Sequence, residues 1–146
     1  MPTTMVCLTN TINDSTIKYI KEKPMDLWNV VYWAEEDKKP QVEEWLNNLK
    51  KDQLKCVSKE LLLLETCGNN LRLPHSKPLE DGLFELREMS FGYRIYYCFS
   101  KGKVIVLLIA GDKSSQKKDI KIAKERLSKW KKGEIKNENK KLSKLP

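Results

Sequence analysis

Hydrophobic positions along the chain repeat with two different periods, and the change from one to the other divides it into elements. Trp28 to Trp33 reads WNVVYW, β-branched and aromatic, and runs into the acidic stretch Glu35 to Asp37; it predicts a first strand. Pro40 suits the opening turn of a helix, in which Val42, Trp45, Leu46 and Leu49 recur at helical spacing and share one face. A second helix is expected from an Asp52 cap, with Leu54, Val57, Leu61 and Leu64 as its apolar stripe and Gly68 as its stop. The two stripes lie only a few residues apart, so they predict an antiparallel helical hairpin.

After a loop holding Pro74, His75 and Pro78, the period becomes two. Leu83 to Glu88 alternates, so Phe84 and Leu86 face one way while Glu85 and Arg87 face the other. Gly92 marks a turn, and in Tyr93 to Phe99 the same alternation sets Arg94 and Tyr96 on one face. Lys101-Gly102 makes a tight connection to Val104 to Ala110, which is apolar throughout, as in a central strand covered on both sides. The chain then passes Gly111, Asp112 and Lys113 into a helix expected to be capped by Ser114 or Ser115, with Asp119 in its first turn. Ile120, Ala123, Leu127 and Trp130 form its apolar stripe, while Lys117, Lys118, Lys121 and Lys124 lie off it. The order is an N-terminal strand, a two-helix hairpin, a three-stranded antiparallel meander and a C-terminal helix, an α+β arrangement.

At 146 residues, 40% hydrophobic and 33% charged, the chain is long enough for one core and one domain, here residues 27–130. Residues 1–26 form an N-terminal extension in which Ile12, Thr16, Tyr19 and Ile20 could make a short amphipathic helix; residues 131–146 form a basic tail rich in Lys, Asn and Glu. No apolar run approaches the length that spans a bilayer, and the N-terminus lacks a signal-peptide pattern, which points to a cytoplasmic address and no membrane partner. Cys7, Cys56, Cys67 and Cys98 form no CxxC pair, so they read as reduced thiols rather than zinc ligands. Charge is uneven: residues 113–146 hold 13 Lys/Arg against 4 Asp/Glu, whereas residues 1–112 hold 15 against 16. The net +8 is therefore a local surface near the C-terminus, of the kind that attracts polyanions by counterion release.

Within that surface, the expected helix start at Ser114 to Gln116 offers unpaired N–H groups between Lys113 and Lys117, a setting suited to an RNA phosphate. Arg87 and Arg94, on successive strands, must pair with acids such as Glu85 and Glu88 or point at something anionic; on one open face they would make a fork for a scissile phosphate. His75, the single histidine, suits a general acid or base, and Lys77 a phosphate contact. The sequence lacks a Gly-rich phosphate loop, a GxSxG elbow, an HExxH motif and the clustered acids of a two-metal nuclease. A metal-free route that needs no cofactor is left, and ribonucleolysis can proceed that way, since the substrate's own 2′-hydroxyl attacks phosphorus and the protein only aligns it, moves protons and stabilises charge.

Three phrases carry a family resemblance: KPLEDGLFELR (Lys77 to Arg87), GYRIYY (Gly92 to Tyr97) and LLIAGDKSSQKKDIKIA (Leu107 to Ala123). Over roughly Trp28 to Trp130 the chain resembles the RelE/ParE superfamily toxins of type II toxin–antitoxin modules, in particular the addiction-module killer and HigB-like branches. The resemblance implies a RelE-like fold, a ribosome-associated endoribonuclease that cuts mRNA, and a cognate antitoxin, often a helix-turn-helix protein encoded nearby. By position it implies Arg87, Arg94 and Lys113 in phosphate handling at the catalytic centre, with Lys77, Lys117 and Lys118 as further cationic contacts. Where HigB-like members often carry His-Gly-Phe after the central strand, this chain has Ile109-Ala110-Gly111. A ParE-like DNA gyrase inhibitor and an inactive antitoxin-binding or RNA-binding module are the competing expectations on the same fold.

Overall fold

The run of apolar residues from Val104 to Ala110 organises the molecule. A computed structural model describes residues 26–136 and makes that run the core of β5 (Val104–Asp112), which is hydrogen-bonded on both sides. One neighbour is β1 (Asn29–Tyr32), parallel to it; the other is β4 (Tyr93–Ser100), antiparallel. β3 (Phe84–Glu88) and β2 (Ser76–Pro78) continue the antiparallel series, so the mixed five-stranded sheet has the order β1-β5-β4-β3-β2. The expected meander is therefore β3 to β5, and two strands flank it. The segment expected to be a loop around Pro74, His75 and Pro78 is in part a strand: Lys77 pairs with Glu85 across β2 and β3. Three residues with a proline at one end suit an edge, where a missing N–H is tolerated.

Between β1 and the meander lie α1 (Gln41–Asn47) and α2 (Lys51–Cys67). Pro40 occupies the N-cap of α1, and Val42 and Leu46 are its buried residues. Asp52 does not cap α2 as expected. The cap is Lys50, two residues earlier, and the Gln53 side chain turns back to accept from the Lys50 N–H at 2.9 Å. Its stripe buries Val57, Leu61 and Leu64 but leaves Leu54 exposed. Gly68 ends the helix at φ +54, where any Cβ would fall within 2.0 Å of the Trp28 indole.

The two helices cover one face of the sheet, where Val30, Tyr32, Leu86, Ile95, Tyr97, Ile105, Leu107 and Ala110 form the larger core cluster. α3 (Gln116–Lys136) covers the other face, over Val31, Trp33, Tyr96, Cys98, Val106, Leu108 and Ile109, with Ala123 and Leu127 as its buried contacts. Burying each large aliphatic side chain of such a core is worth about 1.5–3 kcal/mol. A register shift in β5, where Tyr96 pairs with Ile109 but Tyr97 with Leu107, sends both Leu108 and Ile109 towards α3. It also resets the phase of the strand, so that Gly111 comes to lie opposite Arg94.

A short 3₁₀ turn (Lys113–Ser115) precedes α3, and the cap of that turn is Asp112, whose Oδ1 accepts from the Ser114 N–H at 2.9 Å; the Ser114 and Ser115 hydroxyls donate to Asp112 and Asp119. The amphipathic stretch expected among Ile12, Thr16, Tyr19 and Ile20, and the tail beyond residue 136, lie outside the described residues. Among those described, no helix is long and apolar enough to cross a membrane.

Candidate functional site

Period-two alternation places Glu85 and Arg87 of β3 on the same face as Arg94 and Tyr96 of β4, as expected. The register turns that into rows: Arg87, Arg94 and Gly111 lie side by side across three strands, and Lys77, Glu85, Tyr96 and Ile109 make the next row. Tyr96 and Ile109 pack beneath α3, so both rows belong to the face that α3 roofs. Two arginines opposite one another on neighbouring strands repel unless something lies between them. Here it is Glu85, 1% exposed, with Oε1 3.7 Å from Arg87 Nε and Oε2 3.7 Å from Arg94 Nε.

These are ion-pair distances, too long for hydrogen bonds, and the Nε atoms of both arginines are buried without a hydrogen-bond acceptor. The closest bond to the Glu85 carboxylate comes instead from α3: Gln116 Nε2 donates to Oε2 at 2.6 Å. Arg94 is buried, and its Nη1 donates to the carbonyl of Tyr93 at 3.2 Å; Arg87 keeps a quarter of its side chain in solvent. Beside them burial, with Glu85 adding to it, pushes the Tyr96 phenol well above its ordinary range, so it stays protonated. Asp119, also buried, accepts from Ser115 Oγ at 2.6 Å. A side chain on Gly111 would come within 2.1 Å of the same carboxylate, so only a residue without Cβ lets α3 approach β5 this closely.

The other expected residues are disposed less uniformly. Lys77 is exposed on β2, directly opposite Glu85 and on the same face. Lys113 is exposed at the end of the sheet, its Cβ 3.9 Å from where a side chain on Gly92 would begin. Lys117 and Lys118 are exposed in the first turn of α3. The anion expected at the helix start has a resident competitor, because Asp112 already takes the Ser114 N–H and Ser114 Oγ; those bonds hold its carboxyl below the usual carboxylate range. His75 is turned away from the arginines, its Nδ1 2.9 Å from Glu60 Oε1 on α2, across the sheet from α3.

Two further residues enter the site. The place of Glu85 was legible in the alternation, which put it beside Arg87, but its sharing between two arginines follows from register alone. Gln116 had no signal beyond its position at the helix start.

Residues 44–128 match the protein family described as Phage derived protein Gp49-like (DUF891). That span holds β2 to β5, the first turns of α3 and every cation discussed above. An uncharacterized protein of Haemophilus influenzae is 39% identical over 83 residues, which is 56% of this chain and 81% of that protein. A Mycobacterium tuberculosis protein named "Putative toxin HigB3" is 33% identical over 100 residues, 62% of this chain and 88% of its own length.

Proposed function

This chain belongs to the phage-derived Gp49-like family, and from that premise we propose that it is the toxin of a toxin–antitoxin module: a HigB-like member of the RelE/ParE superfamily that cleaves mRNA. The observation that carries the reading is the Arg87–Arg94 pair. Two guanidinium groups share one carboxylate, leaving positive charge and unused N–H donors beside Lys77 and a lysine-rich helix start. Such a pair suits the developing charge of a phosphodiester under attack, which is where preorganised donors act most strongly.

In this reading the ribose 2′-hydroxyl attacks the adjacent phosphorus and the bond to the 5′ oxygen breaks, giving a 2′,3′-cyclic phosphate and a free 5′-hydroxyl. The proton lost from the 2′ oxygen is balanced by one delivered to the 5′ oxygen. Arg87, the more open of the two, contacts the non-bridging oxygens, with Arg94 behind it. Lys113 and Lys77 orient the flanking backbone, and Lys117 and Lys118 contribute to capture. His75, held by Glu60, is left out of the proton transfer. The working partners are mRNA on the ribosome and a cognate antitoxin encoded nearby, and the working compartment is the cytoplasm. The toxin domain is residues 27–130.

Induction of the wild-type gene should arrest growth and fragment mRNA, while Arg87→Ala should lower cleavage by about 10²–10³-fold, the loss typical of removing one transition-state donor. Purified protein with mRNA and ribosomes should cut equally well with and without EDTA. Arrest with intact mRNA and stalled DNA replication would replace this reading with gyrase inhibition. Antitoxin binding without arrest would mark an inactive binding module, the alternative that the engaged His75 favours.

A further inference from the structure

We propose that Glu85, held by Gln116, is the positioning residue of the arginine pair: its two carboxylate oxygens set where the guanidinium groups stand before an anion arrives. The inference rests on the reading of this site as one for RNA phosphodiesters, and it adds residues that the resemblance does not supply.

Glu85 Oε1 faces Arg87 and Oε2 faces Arg94, each at 3.7 Å from Nε, and Glu85 is too buried for water to take either place. A purely structural buried pair would be expected to close into charge-assisted bonds of about 2.7–2.9 Å. Here the tight contact is the 2.6 Å bond from Gln116, so the helix pins the carboxylate while the arginines stay coupled to it only through charge. Both Nε–H donors are thereby left without an acceptor, and Arg94, 4% exposed, cannot turn its own out to bulk water. Unused buried donors are costly and need a reason. Between the three groups a single positive charge stays uncompensated, which matches the single negative charge of an internal phosphodiester. Other charged groups on this face are Lys77, opposite Glu85; Asp119, which is committed to Ser115; and Arg126, which donates to the Leu108 carbonyl over the Trp33 ring.

The test follows the Arg87 and Arg94 Nε–H resonances of the full-length protein by ¹⁵N-edited NMR. The probes are inorganic phosphate at constant ionic strength and a short single-stranded RNA with methylated 2′-hydroxyls, which cannot be cut. Both probes should move both resonances in the wild type. Glu85→Gln removes the charge but keeps the shape; its signals should be displaced before any probe is added. Its binding of the methylated RNA should depend more steeply on salt, by about one unit of the log–log slope. Cleavage by Glu85→Gln should lose kcat at least tenfold or so without a rise in KM, the pattern of an interaction made in the transition state.

Gln116→Leu frees the carboxylate without changing charge, so it should lower kcat and displace the resonances with the salt slope unchanged; it also keeps the question answerable where Glu85→Gln does not fold. Wild-type resonances that ignore both probes, or folded variants with wild-type slope and kcat, overturn the proposal. A protein that passes the NMR and salt tests yet leaves mRNA intact loses the ribonuclease reading and keeps Glu85 in its place.

Discussion

Against α1 and α2 the sheet presents Val30, Tyr32, Leu86, Ile95, Tyr97 and Leu107; against α3, beside an apolar cluster, β3 and β4 present Glu85, Arg87, Arg94 and Tyr96. On the first side the strand polar groups are neutral or matched locally: Ser76 Oγ and Tyr97 Oη lie 2.5 Å apart, Glu88 accepts from the N–H groups of Ser90 and Phe91, and only the neutral Tyr32 hydroxyl is left unpartnered among the described residues of that side. On the second side a carboxylate is split between two arginines and their Nε–H groups go unmatched. The first face is the larger apolar, stabilising side, while the second carries its own apolar cluster and also retains unsatisfied charge. A fold of this size can carry such a site because the larger apolar cluster offsets its cost, as protein stability is a small remainder of large opposing terms.

Paired truncations should break that contrast most visibly. Leu107→Ala, in the fully buried cluster, should destabilise by about 2–5 kcal/mol in urea unfolding while the folded fraction keeps wild-type cleavage. Arg94→Ala should abolish cleavage in protein that is still folded and also cost about 3 kcal/mol, since it leaves Glu85 with half its compensation. Equal loss of activity from both would deny that the faces are separable.

Gly111→Ala sharpens the comparison at the seam where α3 meets β5. The new Cβ must displace the Asp119 carboxylate, and the expected cost is about 1–3 kcal/mol in urea or thermal unfolding. Because Gly111 lies in the row of Arg87 and Arg94, cleavage should fall as well. A variant as stable and as active as the wild type would show that the helix is not seated as closely as the geometry indicates.

The smallest effect lies in α2, on the stable side. Burial raises the Glu65 carboxyl above its ordinary value of 4.5, so the folded state holds its proton to higher pH than the unfolded state does. With more protons bound when folded, the contribution of Glu65 is greatest below the unfolded value and is lost as pH rises through the folded one. Glu65→Gln should therefore raise the Tm at pH 7 relative to the wild type and leave it nearly unchanged near pH 4. An identical shift at both pH values would assign the effect to packing instead.

Local pattern determined a good deal by itself. Helical spacing marked Val42 and Leu46, and Val57, Leu61 and Leu64, as buried faces of consecutive helices. Alternation put Glu85 with Arg87 and Arg94 with Tyr96, because a strand turns successive side chains to opposite sides whatever it pairs with. The apolar run of β5, by contrast, carries no period, so its register shift at Leu108–Ile109 had no signature, and neither did its parallel pairing with β1. Asp112 and Ser114 compete for one set of N–H groups, and which of them caps depends on a backbone turn that composition does not encode. Whether two arginines repel, pair or share is likewise a matter of a few ångströms across strands far apart in the chain. Only the packed sheet decided that Glu85 stands between them, with a glutamine from the last helix holding it there.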